Sequence, residues 1–172
     1  MQLYLKAPPL QEPIALEEVK TYLRISSEQE DGLLKTLISS ARSYVEGATG
    51  RALLKQGWFL HLTPPYPPSF PLVKNEKGEL SITLPKPPLV NVTSVKTKGQ
   101  DVPYIVEEMK VKLSPTLWGH PLSIAFWAGY GEEAVSVPAD LRMAVLMGVR
   151  FLYEGQKIEL PLLTPYKVRR LI

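Results

Sequence analysis

The sequence predicts an α+β protein, an antiparallel-packed helical core of three main helices with a β-rich insertion and an extended C-terminal tail. Three observations predict it. Apolar residues recur at helical spacing over 15–24, 27–49 and 138–154. Between 56 and 128 they alternate instead, in short runs broken by glycine and proline turns. Hydrophobic residues fill 45% of the 172 positions and charged residues 22%, so a sizeable core is possible. Residues 1–155 read as a single α+β domain and residues 156–172 as a tail that docks on something.

Residues 1–13 hold Pro8, Pro9 and Pro13 and read as an extended arm. Leu16, Val19, Tyr22 and Leu23 then form a short amphipathic helix. Ala15 stands at its cap, where alanine in place of Ser or Asp costs about 0.5–2 kcal/mol. Ser27-Glu28-Gln29-Glu30 is a capping box that should open the second helix. Leu33, Leu34, Leu37, Ile38, Ala41, Tyr44, Val45 and Ala48 make its apolar stripe. Glu28, Asp31, Lys35, Ser39, Arg42 and Glu46 make the opposite, solvated face. Gly50 supplies the stop.

The period changes after Leu53. From Gln56 to Leu62, Trp58, Leu60 and Leu62 point one way, and Phe59 and His61 the other. Eight of the 17 prolines crowd between Pro64 and Pro88, which favours a stiff extended connection. Residues 80–84, 90–97, 104–107, 109–113 and 122–127 are strand candidates, with Lys98-Gly99-Gln100-Asp101 as a hairpin turn. Ala128-Gly129-Tyr130-Gly131 turns the chain toward the last helix.

That helix has two apolar faces. Leu141, Ala144, Val145, Gly148 and Leu152 form one stripe, and Met143, Met147 and Phe151 a second strip beside it. Pro138 suits the first helical position, Asp140 favours the dipole of the first turn, and Gly155 fits a left-handed stop. A surface helix needs only one apolar face. This helix is either the middle of the fold or shares its second face with another chain. The tail is broken by Pro161 and Pro165, yet it carries Ile158, Leu160, Leu162, Leu163, Tyr166, Val168, Leu171 and Ile172, unlike a disordered end.

The composition narrows the function. Cysteine is absent, so there is no disulfide and no thiolate metal site. No apolar run is long enough to cross a bilayer, and the first residues lack the pattern of a signal peptide, so a cytoplasmic origin and no membrane partner are expected. The net charge of +3 lies in residues 155–172, where Lys157, Lys167, Arg169 and Arg170 face Glu159 alone. The balanced remainder is far from the basic field of a dedicated nucleic-acid binder.

No catalytic constellation emerges, and neither an enzyme nor a cofactor is expected. His61 and His120 lack ligand-spaced partners and read as surface or satisfied polar side chains. Adjacent acids in Glu17-Glu18, Glu107-Glu108 and Glu132-Glu133 point in different directions, unlike a carboxylate pair. Gly129-Tyr130-Gly131 lacks the third glycine of a dinucleotide loop and reads as a tight turn. Pro64-Pro65-Tyr66-Pro67-Pro68 reads as a stiff surface loop rather than a polyproline ligand.

Four stretches, in order, resemble the head–tail connector (head completion, or adaptor) proteins of tailed phages and gene transfer agents. They are Ile14-Ala15-Leu16-Glu17-Glu18-Val19-Lys20 with Leu23-Arg24-Ile25; Leu37 to Glu46 continuing through Thr49-Gly50-Arg51-Ala52-Leu53 and Trp58; Leu84-Pro85-Lys86-Pro87-Pro88-Leu89 with Val92-Thr93-Ser94-Val95; and Gly129-Tyr130-Gly131 with Val137 to Arg142 and Pro165-Tyr166. Ala15 departs from the serine common in that family, and the loop at 63–79 is richer in proline.

The resemblance implies a structural virion protein at the head–tail junction, made in the host cytoplasm. It would assemble as a ring of roughly twelve copies below the portal protein. The ring extends the channel through which double-stranded DNA passes without sequence-specific binding. It also offers a platform to a tail-side completion or terminator protein. On this reading Met143, Met147 and Phe151 are candidates for contacts between subunits. Tyr166, Val168, Arg169, Arg170, Leu171 and Ile172 are the candidate portal-docking segment, with the arginines facing acids. The rivals are a nucleic-acid-binding structural module, an enzyme with a pocket in the β region, and a tail-completion protein of the same particle.

Overall fold

Leu34, Ile38, Ala41 and Val45 repeat at the spacing of one helix face, and all four are buried in the computed structural model of the chain, which describes residues 1–66, 72–74 and 78–168. They lie in a helical unit made of Pro9–Leu54 and Tyr130–Val168. Its helices are α1 (Leu16–Leu23), α2 (Asp31–Thr49) and α3 (Ala139–Tyr153). Leu141, Ala144, Val145 and Val149 of α3 join Val19 of α1 and the α2 stripe in one buried cluster, with Leu152 packed on it half-buried. A side chain at Gly148 would press within 3.2 Å of the Ala41 Cβ, so the absence of one lets α2 and α3 approach closely. Leu33 and Tyr44 depart from the expected stripe and stay exposed, at 52% and 43%. The apolar arc of α2 is wider than the surface that covers it.

The helix ends show where tertiary contacts override local signals. The expected capping box stays open. The Ser27 hydroxyl accepts the Gln29 N–H at 3.1 Å, while Glu30 accepts the Tyr153 hydroxyl at 2.9 Å, and α2 begins at Asp31. Asp31 in turn takes the Lys20 ammonium at 2.9 Å. Gly50 is left-handed at φ +76° and ends α2 as expected. Pro138 sits one position before the helix, its carbonyl accepting the Leu141 and Arg142 N–H groups.

The face of α2 expected to be solvated is in part buried. Arg42 and Glu46 are 9% and 7% exposed. Arg42 donates to Glu12 at 2.7 Å and to Glu46 at 3.1 Å, and Glu46 accepts the Leu53 N–H at 2.9 Å. This chain of bonds ties the N-terminal arm and the loop after α2 to one helix. Charged groups removed from water persist only when paired in this way.

The second unit, Met1–Pro8 and Lys55–Gly129, holds the strands. They are β1 (Gln2–Ala7), β2 (Gln56–Leu62), β3 (Leu72–Lys74), β4 (Leu80–Thr83), β5 (Leu89–Thr97), β6 (Gln100–Asp101), β7 (Tyr104–Glu107), β8 (Lys110–Leu113) and β9 (Leu122–Ala128). A five-stranded antiparallel sheet runs β1-β2-β9-β5-β6, and a four-stranded one β3-β4-β8-β7. Period-two alternation buries one face of each: Leu60, Leu62, Val95, Leu122, Ile124 and Phe126 in the first, and Leu72, Leu80, Ile82, Val111 and Leu113 in the second. The Tyr104 hydroxyl reaches from β7 to the Val92 carbonyl of β5. The arm expected to be merely extended supplies β1, which pairs Gln2 with His61 and Leu5 with Trp58.

Candidate assembly surface

Three of the side chains weighed for catalysis, His61, Glu18 and Glu107, are held in structural contacts. The β2–β9 register sets His61 opposite Ser123, and its Nδ1 lies 3.0 Å from the serine oxygen. The His120 carbonyl accepts the Tyr66 hydroxyl. Glu18 binds Arg142 at 2.9 Å and Glu107 binds Lys112 at 2.6 Å. A side chain on Gly131 would collide with Ser136, so glycine is required in that turn. A cleft of about 520 Å³ at the α1–α2 turn is lined by Glu17, Lys20, Arg24, Glu28 and Asp31, and its central pair, Lys20 and Asp31, is closed on itself. Among the described residues no group of three or more His, Cys, Asp or Glu side chains is gathered to hold a metal.

The second strip of α3 is different. Helical spacing sets Met143, Met147 and Phe151 one turn apart, away from the buried stripe of Leu141, Val145 and Gly148. Met143 is 48% exposed, whereas Met147 and Phe151 are half-buried. None of the three belongs to the buried cluster or packs against it. Val135, in the short turn before α3, is 76% exposed. The strip is an apolar surface beside the core, offering contact area and no chemistry.

The tail does not hang free as far as it is described. Pro161–Tyr166 forms a 3-10 turn whose Leu163 is buried, and Leu160, Leu162 and Tyr166 pack on the helical core. The Tyr166 hydroxyl donates to Asp140 at 3.2 Å. Burial raises the pKa of that hydroxyl, and the Asp140 charge raises it further. Arg51 donates from Nε to the Tyr166 carbonyl at 2.8 Å and from Nη1 to the Tyr130 hydroxyl at 3.1 Å. The Val168 N–H donates to the Thr49 carbonyl at 2.8 Å. Of the six residues read as a portal-docking segment, Tyr166 and Val168 are therefore fastened to the helical unit. Arg169, Arg170, Leu171 and Ile172 lie outside the described residues.

Sequence reasoning gave no role to Thr49, Arg51 or Asp140 in holding this segment. The available signal was the unsatisfied carbonyls that every helix C-terminus leaves, here at the end of α2.

Comparison with known proteins bears on this arrangement. Residues 13–84 match the model of the family described as Phage gp6-like head-tail connector protein. No curated protein matches the chain. The chain is similar to a protein in the neck of a native gene transfer agent particle computed with C12 symmetry, at 20% identity and a TM-score of 0.75, over 100% of this chain and 98% of that one. A protein in the virion of a native gene transfer agent particle gives 22% identity and 0.74, and one in the neck of an empty particle computed with C6 symmetry 21% and 0.73, each over 100% of this chain and 98% of that chain. At these identities the likeness carries the fold. The α+β fold expected from the sequence is thus the fold of neck proteins, and the family model takes in the first two of the four stretches that carry the resemblance.

Proposed function

We propose that this chain is a head–tail connector, a structural subunit of the neck of a phage or gene transfer particle, with no enzymatic role. The observation that carries the reading is end-to-end agreement with the fold of neck proteins, joined to a family match over residues 13–84, which hold α1, α2 and β2 to β4. In this reading copies of the chain close a ring of roughly twelve. A ring needs two different patches on each subunit, and the exposed Met143, with Met147 and Phe151, supplies one. The chain end docks on the portal, with Tyr166 and Val168 as its root and Arg169, Arg170, Leu171 and Ile172 as its contact. The opposite side receives a tail-side completion or terminator protein. A charge-balanced body lets double-stranded DNA slide through the lumen, because acidic groups offset the basic ones that would hold its phosphates.

The test is cryo-EM of the purified protein mixed with its portal. A ring stacked on the portal is expected, and portal particles without added density would overturn the reading. Met143→Asp should abolish the ring while changing the stability of the subunit by no more than about 0.5 kcal/mol, as exposed substitutions do. A DNA gel shift that weakens steeply with salt would instead favour a nucleic-acid-binding module.

A further inference from the structure

Thr49-Gly50-Arg51 lies at the end of α2, and neither the core nor the strip on α3 uses it. The left-handed Gly50 ends the helix and leaves the Thr49 carbonyl available. The Val168 N–H takes that carbonyl at 2.8 Å, and the Val168 side chain lies 3.4 Å from where a Cβ on Gly50 would stand. No basic side chain occupies the last turn of α2, so the tail itself meets the negative end of the helix dipole. The Thr49 hydroxyl bonds back to the Val45 carbonyl at 2.7 Å and accepts the Arg51 N–H at 3.3 Å, which stiffens the turn.

Arg51 then makes three contacts with one planar group: the Tyr166 carbonyl, the Tyr130 hydroxyl, and the Tyr166 ring, whose centroid is 6.0 Å from the guanidinium carbon. Lysine cannot reproduce this fork, because it offers a point charge on a flexible stem.

We infer that the Thr49–Arg51 turn is a seat for the C-terminal segment and that Arg51 is its lock. The seat fixes Tyr166 to Val168, the end of the tail that the structure describes, on the helical unit. Arg51 is a positioning residue here, acting on any partner through the tail it holds. The inference rests on the proposed portal-docking reading only for what the terminal residues reach. The seat itself stands on the contacts above.

Two arms of one experiment separate those claims. In the first, the full-length protein is digested briefly with trypsin, and the product ending at Lys167 is followed by mass spectrometry. The Lys167–Val168 bond lies inside the seat, so its cleavage follows local opening. Arg51→Ala removes charge-assisted bonds and should speed that cleavage by about tenfold to a hundredfold. Arg51→Lys should rescue it only in part, and Tyr130→Phe, which removes one tie, should give a smaller increase. Circular dichroism checks that each variant is folded. If Arg51→Ala compromises folding, Arg51→Lys and Tyr130→Phe decide the matter. Cleavage within about twofold of the unaltered protein in all folded variants would overturn the seat. In the second arm the same proteins are mixed with purified portal. Binding should fall by about tenfold or more in Arg51→Ala, although residues 169–172 are intact. Unchanged portal binding by Arg51→Ala would overturn the positioning role. An unaltered protein that does not bind portal would instead overturn the docking reading and leave the seat standing.

Discussion

The helical unit and the β unit solve burial in different ways. The β unit buries alternating apolar side chains, and its ion pairs Lys112–Glu107 and Lys96–Asp101 both have exposed members. The helical unit buries charge along with its apolar stripe. Lys20, Arg42 and Glu46 are each less than a tenth exposed, and each is paired. Alternation needs no distant partner to make sense, whereas a buried arginine needs one that folding must deliver. The helical unit should therefore be sensitive to the loss of single charges, and the β unit to the loss of carbon alone.

The sharpest break of that contrast is Arg42→Ala. It takes the Arg42 charge away from Glu46, which keeps its bond to the Leu53 N–H, and from Glu12, and removing one member of a buried pair costs about 3–5 kcal/mol. Denaturant unfolding followed by helical ellipticity would measure it, and a loss below about 1 kcal/mol would show the cluster to be solvated.

Deletions of carbon should treat the units alike. Leu141→Ala in the helical unit and Ile124→Ala in the β unit both empty fully buried sites, and each should cost about 2–5 kcal/mol. A marked inequality would mean that one core relaxes around its cavity.

Alkaline pH should separate the units again, more weakly. The Asp31 hydrogen bond raises the pKa of Lys20. A hydrogen bond to Glu30 raises that of Tyr153, and burial with Asp140 raises that of Tyr166. In the β unit burial raises Tyr66, and a hydrogen bond to Glu107 raises Lys112. A raised value means that the protonated form is favoured by folding. This stabilisation is whole below the ordinary values of 10.0 for tyrosine and 10.5 for lysine, and is lost as pH climbs through the folded values. Three of these five groups belong to the helical unit, so helical ellipticity should fall more than the strand signal as pH rises past about 10. The smallest effect is expected from Lys112→Ala. Its partner Glu107 is exposed, and the midpoint of unfolding should not move measurably.

Much of both units was legible beforehand, for reasons that differ by element. The strands at 56–62, 80–83 and 122–128 follow from alternation, because a strand with one buried face writes its period directly into the chain. The buried residues of α2 follow from its 3.6-residue spacing. The start of α2 does not, since Ser27 and Glu30 satisfy a local rule that Tyr153 overrides from 123 residues away. The pairing of β1 was equally hidden, because Gln2–Ala7 needs β2 to become a strand. Of the assembly surface, the second strip on α3 was visible as excess apolar residues. The fastening of the tail by Arg51 was not visible, because a guanidinium in a loop does not reveal what it will meet.

The sequence by itself determined periodicity: most of the helical and strand stretches, and the apolar face that each turns to the core. Those properties depend on neighbours a few residues apart, and the chain carries them wherever it goes. Only the tertiary structure decided the partners, among them Glu12 for Arg42, Asp31 for Lys20, and Thr49 and Arg51 for the tail. A polar group far along the chain becomes a partner only when folding brings it within about 3 Å, and hydrogen bonds do not reach further.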